Sequence, residues 1–113
     1  MISSFAPQAL ILLNGPFLQA QSRQFAARLL REAGSDVIRQ IDLAYRLALA
    51  RPPRDSELRM AREFLAAQEK TIRERQRTGH SVQPTPGFDP AIAAALADFC
   101  LALLNCNEFL YIS

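Results

Sequence analysis

Apolar positions recur along this chain at intervals of three and four residues, and clusters of Pro, Gly and Asn interrupt them. That spacing is helical, and it predicts five segments. The first covers 7–13, where Pro7 suits an opening turn because its missing N–H costs nothing. Asn14-Gly15-Pro16 breaks it, and Pro16 restarts the chain as a second first-turn proline. The second segment runs to about residue 33, with Leu18, Phe25, Ala26, Leu29 and Leu30 on one stripe. Gly34 suits a left-handed C-terminal cap. For the third segment the expected N-cap is Ser35, with Asp36 at the positive end of the helix. Ile38, Ile41, Tyr45, Ala48 and Leu49 form its stripe, widened by Val37, Ala44 and Leu47. This breadth predicts that the third segment is the most central of the five. Arg51-Pro52-Pro53 ends it, since a residue before proline avoids the helical region.

The fourth segment spans 55–78. Leu58, Ala61, Leu65, Gln68 and Ile72 mark its seam, joined early by Met60 and Phe64. Its second half is nearly all polar, so that half is expected to project beyond the core. Glu69–Arg73 and Lys70–Glu74 are favourable i,i+4 pairs there. Residues 79–88 hold two Gly and two Pro and read as a loop. Asp89-Pro90 then opens the fifth segment with an acidic N-cap and a first-turn proline. Ile92, Leu96, Phe99 and Leu103 are its stripe, and Ala91, Ala93, Ala94, Ala95 and Ala97 let a neighbour come close. It should fray near Asn105-Cys106-Asn107, with the apolar run 109–112 packing back on the core. No credible stretch alternates with period two. The expected fold is all-α, an irregular bundle of four to five helices with no β-sheet, forming one domain over 1–113.

A chain of 113 residues with 50% hydrophobic positions can bury about two-thirds of its unfolded surface without metal or disulfide. Thirteen basic against eleven acidic residues leave a net charge of +2. That balance argues against a nucleic acid or an anionic membrane as partner. Cys100 and Cys106, six residues apart on a helix, would sit about 9 Å apart along its axis and face different ways. They do not make a disulfide, and free buried thiols are expected. The opening Met1-Ile2-Ser3-Ser4 lacks the basic start of a signal peptide, and the apolar run 9–13 is too short to span a bilayer. Taken alone, those features suggest a cytoplasmic chain.

Catalytic chemistry finds few footholds. The one histidine, His80, lies in the Gly/Pro loop, away from any Ser or Cys nucleophile motif. One His and two divergent Cys do not supply a zinc site, and no phosphate-binding glycine pattern occurs. No cofactor is expected. Carboxylates are available at Asp36, Asp42, Glu57, Glu63, Glu69 and Glu74. The glutamates interleave with Arg59, Arg62, Arg73, Arg75 and Arg77, as on a solvated helix face. The same arginines make helix 55–78 the candidate for a nucleic-acid surface, although acids interrupt each run of bases and no aromatic ladder accompanies them. Asn14, Asn105 and Asn107 stand where apolar helices end, and Asn closes such junctions by bonding local backbone. With Pro16, Gly34, Pro52, Pro53 and Asp89 they form the expected set of structural junctions.

Three stretches resemble a known family: 6–17, ending Asn14-Gly15-Pro16-Phe17; 44–53, Ala44-Tyr45-Arg46-Leu47-Ala48-Leu49-Ala50-Arg51-Pro52-Pro53; and 103–111, Leu103-Leu104-Asn105-Cys106-Asn107-Glu108-Phe109-Leu110-Tyr111. Their order and spacing are similar to those of the planctomycete-type domain of unknown function that ends large secreted proteins, often with a cytochrome-c-like domain at the N-terminus. Where that family favours a capping Thr this chain has Arg54, so Asp55 is expected to cap the fourth helix, without a matching Glu at Leu58. The resemblance implies an extracytoplasmic setting, a terminal helical subdomain of a longer architecture, and no established activity.

The resulting expectation is a non-enzymatic helical module that docks on another domain of a parent chain or on a copy of itself. Leu10, Leu13, Phe17, Phe109 and Tyr111 are the candidate contacts. Two alternatives stand beside it: nucleic-acid binding through helix 55–78, and a fragment of a larger secreted enzyme or haem protein whose active residues lie elsewhere.

Overall fold

A computed structural model describes residues 15–105. Among them run four helices: α1 (Pro16–Ala33), α2 (Val37–Leu49), α3 (Asp55–Arg77) and α4 (Pro90–Asn105), with no strand. The fold is all-α. The segment predicted over 7–13 lies outside the described residues, as does the end of the chain from Cys106.

Three of the four helices start where a carboxylate accepts a free N–H, and at α1 a proline removes one instead. Pro16 holds the first position of α1, after Gly15 in extended backbone. Asp36, not Ser35, caps α2: its Oδ1 accepts from the Arg39 N–H at 3.2 Å. The acid one residue later combines the capping oxygen with a negative charge at the helix's positive end. Asp55 likewise does not cap α3. The N-cap is Arg54, whose side chain has no acceptor to offer, and Glu57 reaches back to accept the Arg54 N–H at 2.8 Å. The box is therefore half formed, with the acid three residues beyond Arg54 rather than at position 58. Asp89 Oδ1 accepts from the N–H of Ala91 at 2.8 Å and of Ile92 at 3.3 Å, opening α4.

The helix ends differ in kind. Gly34 closes α1 at φ 64°, its N–H donating to the Leu30 carbonyl at 3.0 Å. α2 ends at Leu49, two residues before Arg51, because Ala50 takes the left-handed conformation at φ 60°.

The core runs through Leu29, Ile41, Ala44, Leu96, Phe99 and Cys100, all buried. The most central helix is α4, not α2. It packs on α1, α2 and α3, and Ala91, Ala93, Ala95, Leu96, Phe99, Cys100 and Leu103 are buried around more than half of its circumference. Alanine is the reason: with little side chain on several faces, neighbouring backbones approach from more than one side. α2 is one-sided instead, leaving Val37 and Ile38 exposed at 41% and 47%. The second half of α3 does not project freely. Ile72 is buried against Ala91 and Ala95, and Arg73 ties it to the start of α4.

Candidate docking surface

Residue 51 lies between the end of α2 and the start of α3, where Pro52 and Pro53 hold the chain extended. Its guanidinium grips Glu57 with two parallel bonds, Nη1–Oε1 at 2.8 Å and Nη2–Oε2 at 3.0 Å. It also lies 5.6 Å from the Tyr45 ring centroid, within cation–π range. These side chains are 25% and 23% exposed. The Arg51 hydrogen bonds, helped by the Arg54 N–H, hold the Glu57 carboxyl down at about 2, against partial burial that pushes it upward. This bolt fixes the entry angle of α3 relative to α2.

Beyond the bolt the aromatic rings line up. Tyr45 and Phe64 each sit 6.4 Å from Phe99 in tilted contact. They floor an open groove of about 450 Å³ with Met60, Ala61, Ala102 and Leu103 along its sides. Met60 is 65% exposed. The sequence pattern placed Met60 and Phe64 on the buried seam. In the fold they sit on its shoulder, because Ala61, Leu65 and Ile72 already fill the contact with α4.

A second hollow of about 390 Å³ opens between the α1–α2 turn and the start of α4, lined by Leu30, Gly34, Val37, Gln40, Glu69, Phe88, Asp89 and Ile92 among others. Gln40 is buried, and its Nε2 donates to the Gly34 carbonyl at 2.6 Å. Arg73 joins two carboxylates, Glu69 Oε2 at 2.9 Å and Asp89 Oδ2 at 3.1 Å. The Arg73 bond holds the Asp89 carboxyl below the usual carboxylate range. A second link between α3 and α4 is made by Gln68, whose Nε2 donates to Asp98 Oδ2 at 3.0 Å.

The other sequence candidates are scattered. Phe17 is 73% exposed on the first turn of α1. Leu10, Leu13, Asn14, Asn107, Phe109 and Tyr111 lie outside the described residues. Asn105 is half-buried at the end of α4, as the last described residue. His80 Nδ1 is 3.2 Å from Thr78 Oγ1 in the exposed loop. Asp42 pairs with Arg46 at 2.7 Å. Among the described residues no three His, Cys, Asp or Glu side chains gather to hold a metal ion, and no helix is long and apolar enough to cross a membrane. The groove and the hollow had no sequence signal, since each draws on residues separated by tens of positions.

The family model PSD1, described as "Protein of unknown function (DUF1553)", matches residues 2–65. The chain belongs to this family. The match takes in two of the three stretches behind the resemblance, 6–17 and 44–53, and extends through Glu57, Met60 and Phe64. Within this DUF1553 chain the bolt and one wall of the groove therefore fall inside the matched region, and α4 falls outside it. No curated protein and no solved structure matches the chain.

Proposed function

We propose that this DUF1553 chain acts over 1–113 as a single non-enzymatic docking module, packing its aromatic-floored groove against another polypeptide. The observation that carries this reading is Met60, 65% exposed at the edge of a groove floored by Tyr45, Phe64 and Phe99. A flexible thioether beside rigid rings adapts to a partner surface, and covering one such side chain is worth about 1.5–3 kcal/mol. Phe17, 73% exposed on the first turn of α1, is a further apolar candidate, Leu10, Leu13, Phe109 and Tyr111 are candidates from the sequence, and a specific interface requires roughly 1,000 Å² in all. The partner is a further domain or a second copy, and the second copy is tested first.

Light scattering after size exclusion, across a concentration series of the full chain, reads the outcome. The expected result is concentration-dependent dimer that Met60→Glu abolishes while far-UV circular dichroism is unchanged. If the chain is instead monomeric throughout but binds an apolar dye, and Met60→Glu removes the dye signal, the groove is open and its partner is another domain. A monomer with no dye binding, indifferent to Met60→Glu, overturns the proposal.

A further inference from the structure

We propose that the chain's own segment 106–113 covers the aromatic-floored groove when no partner is bound, so that segment and partner compete for one site. The inference rests on the docking reading of the groove and adds its regulation. The groove draws on the last turns of α2 through Tyr45, the first turns of α3 through Met60 and Phe64, and the last turns of α4. From α4 come Phe99, Ala102 and Leu103. Leu103 stands two residues, about 3 Å of helix rise, before Asn105, where α4 stops. The chain therefore leaves α4 at the edge of the groove. Glu57 is the one carboxylate in the lining, and Arg51 already holds both of its oxygens. An apolar occupant thus strands no unpaired charge there.

The sequence beyond Asn105 supplies such an occupant: Cys106-Asn107-Glu108 and then the apolar run Phe109-Leu110-Tyr111-Ile112. Four Cα steps separate Asn105 from Phe109, a reach of up to about 14 Å. The groove-lining stretch of α4, from Phe99 to Leu103, is only about 6 Å long. A reversal through Asn105-Cys106-Asn107, where Asn suits a turn, is enough to lay Phe109 and Tyr111 on the groove. There they meet the rings of Phe64 and Phe99 and cover the thioether of Met60. The segment 1–14 is not placed for this, because α1, which it precedes, contributes no residue to the lining. A short tether gives the segment an effective concentration in the millimolar range. Even a weak contact in the same chain therefore competes with a free partner, which meets only the open fraction of the groove.

Met60 is one of two methionines in the chain, so its methyl signal can be followed in the ¹³C-methyl-methionine-labelled full chain with a neutral nitroxide as broadening agent. The expected result is a Met60 methyl protected from the nitroxide to the same degree across a concentration series. Phe109→Ser/Tyr111→Ser in the full chain, with far-UV circular dichroism unchanged, removes that protection. A synthetic peptide of residues 106–113 added to the double variant restores it, and the same peptide with both serines does not. Apolar dye binds the double variant roughly tenfold more tightly than the wild type, as an open fraction of about one in ten requires. Equal broadening of Met60 in wild type and double variant overturns the inference and leaves the docking reading to light scattering. Protection that fades on dilution as a dimer dissociates also overturns it, since the occupant is then a second copy, and supports the docking reading. Protection in the wild type beside a double variant that takes neither dye nor a second copy removes the docking reading, and with it the competition, while the covered groove stands.

Discussion

Replacing Glu57 with Gln removes the charge that Arg51 grips while keeping an oxygen able to accept the Arg54 N–H. The structure sets the size of the effect. The carboxyl falls from its usual 4.5 to about 2. At about 1.4 kcal/mol per pH unit, that depression sets a ceiling of about 3.5 kcal/mol. Water touches both side chains, at 25% and 23% exposure, and screens part of this, so the expected cost at neutral pH is about 1.5–2.5 kcal/mol. The sign with pH follows from a folded value below the unfolded one. Glu57 contributes fully above 4.5, and its contribution disappears as pH falls through that value toward 2. Urea unfolding of the wild-type chain and Glu57→Gln, at about pH 7 and about pH 3, gives the difference directly. More than half of the penalty should be gone at the lower pH. Asp89 titrates in both proteins and cancels. A cost below about 0.5 kcal/mol at neutral pH, or one that does not change with acid, would refute the account of Arg51 and Glu57 as a partly buried, charge-assisted bolt.

Three further outcomes are expected. Leu96→Ala, at a site 1% exposed in the centre of the bundle, should lower unfolding free energy by about 3–5 kcal/mol in urea; a loss under about 1 kcal/mol would mean that α4 is not central. Ala50→Gly should stabilise by about 0.5–1 kcal/mol in the same assay, because relief of the left-handed strain at φ 60° outweighs the added freedom of the unfolded chain. Burial pushes the Cys100 thiol well above its usual value. In a Cys106→Ser background it should therefore resist a disulfide reagent at mildly alkaline pH and react on unfolding; rapid labelling of the native chain would contradict its place in the core.

Helix period and end signals are local properties, and those were readable from the sequence. α1, α3 and α4 begin and end within a residue or so of the expected positions, because Pro16, Gly34, Pro90 and the 79–88 loop act through their own backbone. Where the local expectation missed, it missed near a cap: two oxygen-bearing side chains compete there, and the backbone uses the one whose oxygen reaches a free N–H. Asp36 displaces Ser35 in this way, and Glu57 makes Arg54 rather than Asp55 the cap.

Choosing which apolar face meets which was the work of the tertiary structure. The broad stripe of α2 suggested a central helix, but the alanines of α4 let three neighbours close on it, and α2 was left at the side with Val37 and Ile38 exposed. The same packing puts Phe64 beside Phe99, lays Arg51 over Tyr45, and brings Gln40 to a hollow shared with Asp89. Periodicity specifies a face only relative to its own helix axis. How near two axes come, and at what angle, depends on side-chain volumes summed over both, so the groove and the hollow exist only once the helices have packed.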